Sequence, residues 1–346
     1  DCLSGQLQGC HFELAGSSRW VGLEEQLSLD WLKDGTLTTL AGADLRLKHT
    51  ASRTDISDLV TGDNPGPSGV FGGLEKAAAL YLEQKARLLR RLDLSAGGRL
   101  DLDERFGSRL SPRAAAALRP WDGGTVKISY AEAFRAPTAY ERYYVDPTYQ
   151  VPATDLHPEV VRSIEASVEQ RFKAQRVHVG VFRSWFRDIV ASQTLTPEEI
   201  AQAVKDGLLE HDVDYARQYR NIASADSYGF NLAVEGAALA GRLRYGLNFT
   251  GALARQSATE GAPGTEMQAA AQAFGNARVT YSLGGDLPTF GLTGRYAGRR
   301  LASGATDSAY APVPYGPPLG ELRATISGAV PRLKGLSYRL SANYSF

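Results

Sequence analysis

Apolar and polar residues alternate with period two along most of the chain. In Leu92–Asp103, Leu92, Leu94, Ala96, Gly98, Leu100 and Leu102 fall on one side, and Asp93, Ser95, Arg99, Asp101 and Asp103 on the other. Arg242–Leu253 sets Leu243, Tyr245, Leu247, Phe249 and Leu253 against Arg242, Arg244, Asn248 and Thr250. Leu336–Phe346 sets Leu336, Tyr338, Leu340, Ala342, Tyr344 and Phe346 against Ser337, Arg339, Ser341, Asn343 and Ser345. A strand points successive side chains to opposite faces, so such segments predict strands with one apolar and one charged face. Fourteen are expected, at 19–31, 36–49, 77–89, 92–103, 110–119, 126–134, 159–172, 175–188, 218–236, 241–255, 273–283, 287–296, 319–329 and 335–346.

Their connections alternate between short and long. Long ones lie at about 50–76, 135–158, 189–217, 256–272 and 297–318, and 104–109 breaks the rule by being short. Lys76–Leu89 has high helix propensity, yet its setting before the Arg90-Arg91 turn predicts a strand. Thr196–Leu209 predicts a helix inside a long loop. Thr196 can cap it, Pro197 suits the first helical position, and Glu199 completes a capping box.

Composition narrows the setting. The 346 residues carry 38 basic and 38 acidic side chains, so there is no electrostatic footprint for nucleic acid. Hydrophobic residues make up 43 %, but no run reaches the roughly 18 apolar residues of a membrane helix. Two architectures remain: a membrane barrel whose apolar residues are hidden by alternation, or a soluble secreted β protein. The 36 Gly and 16 Tyr suit tight turns and aromatic girdles. Cys2 and Cys10 either close a small loop disulfide or stay as two thiols. The chain starts without Met or a signal peptide, so a fragment or trimmed chain is expected.

Several ordered motifs are similar to those of TonB-dependent outer-membrane receptors. Phe134-Arg135-Ala136-Pro137 resembles the family's FRAP-type box. Asp155-Leu156-His157-Pro158-Glu159 resembles its box before the next strand, with Asp155, Leu156, Pro158 and Glu159 at the matching positions. Ala79–Gln84, Leu94–Asp101, Ser163–Phe172, Tyr219–Ile222 with Ser227–Phe230, and Tyr296–Arg300 resemble further strands in family order. Ala153-Thr154 stands where the family usually has Asn-Pro, and Ser167 where Gly is common.

The resemblance implies an all-β fold, an antiparallel transmembrane β-barrel. About 14 strands of a larger, 22-stranded type would be present, with short periplasmic turns and long extracellular loops. Residues 1–346 would form a single partial barrel domain without the plug. Two readings of the C-terminus stand. Loop parity makes the last segment the family's penultimate strand, whereas a terminal Phe on an alternating strand is a usual barrel end. Parity favours a final strand missing after Phe346.

Function by resemblance is outer-membrane active transport: binding and import of a bulky scarce nutrient such as a ferric siderophore. The partners implied are outer-membrane lipid and, through the plug, TonB–ExbB–ExbD, with the receptor acting as a monomer. A passive porin-like or adhesive barrel is the alternative. No catalytic motif is present, so an enzyme is not expected. No cofactor is expected, and His11, His49, His157, His178 and His211 lack zinc-site spacing. Glu210–Asp214 could offer oxygen ligands to a cation but lacks the glycine and spacing of a calcium loop.

The ligand-binding candidates are Arg135, Tyr140, Arg142, Tyr143, Tyr144, Tyr149 and His157. Aromatic and arginine side chains offer rigid contact area and charge recognition for a bulky, often anionic ligand. The competing role for these tyrosines is to form an aromatic girdle and brace the loop. Arg99, Asp101, Asp103, Glu165, Glu169 and Arg171 are expected to pair along the wall.

Overall fold

The computed structural model of the chain describes residues 10–59, 67–210, 213–258, 264–267, 271–301, 315–330, 333 and 335–346. Cys2 and the side chain of Cys10 fall outside the described residues, as do His211 and Asp212 of the acidic stretch. Fourteen long strands follow in order. They are β1 (Cys10–Asp30), β2 (Leu37–Asp58), β3 (Pro67–Leu88), β4 (Leu92–Asp103), β5 (Gly107–Leu118), β6 (Gly124–Arg135) and β7 (Glu159–Phe172). The second half holds β8 (Gln175–Thr194), β9 (Arg217–Ala238), β10 (Leu243–Ser257), β11 (Ala273–Ser282), β12 (Thr289–Ala297), β13 (Leu319–Ala329) and β14 (Ser337–Ser345). Each of the fourteen alternating segments is therefore a strand. Two-residue ladders pair Thr265–Glu266 with β10 and Arg300–Leu301 with Tyr315–Gly316.

Every long strand pairs antiparallel with its sequence neighbours, from β1 to β14. Among the described residues no ladder joins β1 to β14. Registers carry one face from strand to strand. Val177, Val234, Leu247 and Ala277 lie directly opposite one another, as do Tyr281, Phe290, Ile326 and Leu340. The other face reads Glu169, His178, Ala233, Asn248, Asn276, Arg295 and Glu321 along one such row. A one-residue slip in any pair would exchange the faces, so the alternation itself specifies the register.

The apolar face is bare: Phe230 is 47 % exposed and Leu340 66 %. Aromatic side chains bound it. At the short-turn end, the Trp31 indole N–H donates to Thr39 Oγ1 at 2.8 Å, and Trp121 donates to Gln170 Oε1 at 2.5 Å. Tyr245 and Tyr281 lie on the apolar rows at that end, and Tyr228 and Tyr296 at the long-loop end. Rings with one apolar and one polar end suit the two boundaries of a membrane. On the opposite face Arg99 pairs with Asp44 (3.1 Å) and Asp101 (2.8 Å), and Asp103 with Arg105 (2.7 Å). Glu169 pairs with Arg171 at 3.0 Å, and Glu165 makes no ion pair among the described residues.

Three details differ from expectation or decide between propensities. β2 and β3 run 22 residues, well beyond the segments 36–49 and 77–89 read from alternation, while β9, also 22 residues, stays close to its expected 218–236. At ~3.3 Å per residue they span roughly 70 Å, far more than the ~25 Å apolar band of a membrane barrel. The surplus lies on the long-loop rim, where stretches such as His49–Asp58 are polar on both faces and carry no period-two signal. β3 is a strand despite its helix-forming residues, because it is hydrogen-bonded on both sides, to β2 and β4. The ladder between β5 and β6 begins at Arg113↔Ala131 and does not extend past Pro112, which has no N–H to give. Beyond that point Glu132 reaches Arg109 at 3.0 Å, and Phe134 meets Phe106 edge-on at 5.3 Å.

Candidate functional site

A buried hydrophobic cluster lies outside the sheet. Val151 from the β6–β7 connection packs with Leu195, Ile200, Ala203, Leu209 and Ala216 from the β8–β9 connection. The two long loops thus fold together as one cap. Each carries a helix with a complete capping box. In α1 (Ala139–Tyr143) Thr138 caps and Glu141 reciprocates; in α2 (Pro197–Lys205) Thr196 and Glu199 do the same. The second helix is the one expected from the sequence. The first, five residues long, carries no periodicity to detect.

The strand ends fix the cap to the sheet. Arg135, the last residue of β6, donates to both carboxylate oxygens of Glu159 (2.7 and 2.6 Å) and to both of Glu141 (3.0 Å each). Glu159 Oε1 also accepts the Val190 N–H at 2.8 Å. That amide follows a bulge in β8, where the register shifts after Phe186 and Asp188 adopts φ +57°. Asn221 closes the other side. Its amide donates to the carbonyls of His157 (2.9 Å) and Asp188 (2.6 Å), and its Oδ1 accepts the His157 N–H (2.8 Å).

Charge follows from these bonds. Burial disfavours ionised Glu141, but the hydrogen bonds from Arg135 and Thr138 outweigh it and hold the carboxyl below its usual range. Glu199 is held low by the Thr196 backbone N–H and then by Arg220, whose guanidinium lies 2.7 Å away. Arg142 is buried. It donates to the Thr154 carbonyl at 2.6 Å and to the Arg105 carbonyl, and its guanidinium lies 5.4 Å from the Tyr143 ring.

The sequence candidates therefore separate. Tyr140 stacks on Tyr144 at 4.5 Å, and the Tyr144 and Tyr149 hydroxyls are 3.4 Å apart. These three come together, with Tyr140 41 % exposed. Arg135, Arg142 and Tyr143 make the internal contacts just described. His157 is exposed and tied through its backbone. Of the motif positions, Pro137 and Leu156 are buried, Ala136 and Pro158 half-buried and Asp155 exposed.

Sequence reasoning did not join Tyr219, Arg217 or Gln150 to this group. Tyr219 meets Tyr140 edge-on at 6.2 Å, and Arg217 lies 5.0 Å over the Tyr149 ring while donating to Gln150 Oε1 at 3.2 Å. All depend on the β6–β7 loop meeting the start of β9, and no local pattern announces that. Burial pushes the hydroxyls of Tyr140 and Tyr144 above their usual value. They remain neutral phenols, offering ring faces and hydrogen bonds rather than phenolate charge. Among the described residues no three His, Cys, Asp or Glu side chains converge on a metal position.

Comparison with known proteins places this geometry. The family described as "TonB dependent receptor-like, beta-barrel" matches residues 8–343. A mutant of the ferric enterobactin receptor of Pseudomonas aeruginosa is similar at 15 % identity and TM-score 0.72, over 94 % of this chain and 48 % of that one. The ferripyoverdine receptor of the outer membrane of Pseudomonas aeruginosa, bound to ferripyoverdine, is similar at 14 % identity and TM-score 0.67, over 96 % and 45 %. The copper transporter OprC is similar at 14 % identity and TM-score 0.69, over 96 % and 51 %. At these identities the likeness shows the fold alone, and the chain spans about half the length of these solved proteins. Comparison with curated protein sequences gives no match.

Proposed function

The chain belongs to the TonB-dependent receptor β-barrel family, and from that premise we propose that it is the wall and part of the ligand-binding cap of an outer-membrane import receptor. Its cargo is a bulky metal chelate of the ferric-siderophore type, taken up with energy delivered by TonB–ExbB–ExbD through a plug outside this barrel domain. The family match over residues 8–343 carries the reading. The bare apolar belt between aromatic rows supports a lipid setting. The tyrosine cluster at the long-loop rim, with Tyr140 exposed and Tyr144 and Tyr149 half-buried, supports a cargo that is held by contact and not transformed. Within this reading Tyr140, Tyr144 and Tyr149 contact the cargo, with His157 at the rim. Arg135, Arg142 and Tyr143 hold the loop in shape.

The test is growth and uptake by a strain deleted for the full-length receptor, on a panel of ferric chelates, cobalamin and copper. Uptake of at least one should depend on the receptor and stop when the proton-motive force is dissipated. In the purified receptor, Tyr140→Ala should weaken binding of that compound by about ten-fold, the order of one lost aromatic contact. Uptake that survives loss of the proton-motive force would support a passive barrel instead.

A further inference from the structure

The charge of the cap points to the charge of its cargo. Residues 136–158 and 195–216, the two connections that fold together, carry two basic side chains, Arg142 and Lys205, against nine acidic ones. Arg142 is buried and bonded to two carbonyls. The cations that border the cap are also engaged. Arg135 is held by Glu141 and Glu159, and Arg220 by Glu199. Arg217 lies over the Tyr149 ring and donates to Gln150. Meanwhile Asp206 and Glu210 are exposed, and Tyr140 and Tyr144 of the same cap are neutral phenols.

A cap with this balance has a negative potential, and among the described residues of the cap and its border every guanidinium is engaged, which leaves Lys205 as its one exposed cation. The cap raises the local concentration of cations and repels anions, more strongly at low salt. The exposed Tyr140 ring, backed by Tyr144, adds cation–π attraction and apolar contact, both of which suit a cationic or uncharged ligand. On the reading that this cap contacts imported cargo, we infer that the receptor selects a metal chelate of neutral or positive net charge, such as a ferric hydroxamate complex, against multiply anionic ones. This reverses the anionic ligand expected from the aromatic and arginine side chains of the 135–158 loop, because the structure shows Arg135 and Arg142 bonded at the border of the cap and within it.

The experiment uses the purified full-length receptor and intrinsic fluorescence quenching. Two probes are compared at low and near-physiological salt: a cationic ferric trihydroxamate and a trianionic ferric tris-catecholate. The cation should bind at least roughly ten-fold more tightly at low salt, and the preference should shrink as salt rises. The double variant Asp206→Lys, Glu210→Lys changes exposed side chains only and should narrow the preference several-fold, with the far-ultraviolet circular dichroism unchanged. Tighter binding of the trianion, or a preference indifferent to both salt and charge reversal, overturns the inference while leaving the import function standing. Binding of neither probe, together with no receptor-dependent uptake across the chelate panel, removes the proposed function and this inference with it.

Discussion

Arg135 illustrates how one side chain ties a strand end, a helix and a neighbouring strand together. Its planar fork meets two carboxylates, Glu159 and Glu141, a geometry that lysine cannot reproduce. Its position in a Phe-Arg-Ala-Pro box was legible in the sequence, but its partners were not, since Glu159 lies 24 residues on and meets it only through β6–β7 pairing. Glu141 makes the arrangement sensitive to acid. Its folded-state pKa lies below the ordinary glutamate value of 4.5. The stabilisation is therefore fully present above that value and is lost as pH falls through the lower folded-state pKa. Hydrogen exchange, corrected for intrinsic rates, should show amides of α1 losing protection as pH is lowered past the ordinary glutamate value and through the lower folded-state pKa. Glu141→Gln should lower protection at neutral pH by about 1 kcal/mol and abolish the pH dependence.

At the scale of elements, α2 was legible because its cap and first turn are written locally: Thr196, Pro197 and Glu199 fall where a helix start needs them. Its packing was not, because Ile200 and Ala203 find their partner Val151 in a different loop. An element whose apolar face is covered only by another loop should lose order together with it. Ile200→Ala removes buried volume from the cluster and should cost about 2–4 kcal/mol of local stability. Hydrogen exchange should then rise in residues 136–158 as well as in α2. A rise confined to α2 would show that the loops are energetically separate. The β8 bulge belongs to the same scale. Period-two reading ends that strand at Asp188, whereas the structure offsets the register after Phe186 and carries β8 on to Thr194, which lets Glu159 bond the Val190 amide.

Across the whole molecule, fourteen strands share one apolar and one charged face, and the registers keep those faces continuous. The two faces should respond oppositely to an added charge. Leu232 and Ala233 are adjacent on β9; Leu232 sits opposite Val179 and Phe249, while Ala233 sits opposite His178 and Asn248. Leu232→Arg should destabilise the receptor in lipid by about 2–4 kcal/mol, while Ala233→Arg should cost little. Denaturant unfolding in bilayers would read the difference, and equal effects would contradict the assignment of the apolar face to lipid.

The sequence by itself determined the strands, their order, their faces and which connections are long. Those properties are local: side-chain direction repeats every two residues, and turn chemistry is set by its own few residues. Only the tertiary structure decided that the two longest-range loops form one cap, that its bordering arginines are spent on neighbouring groups, and that Tyr140, Tyr144, Tyr149 and Tyr219 gather at one place. Contacts between segments tens of residues apart leave no period in the chain. A charged residue's free or bonded state depends on who stands beside it, and that is a property of the fold.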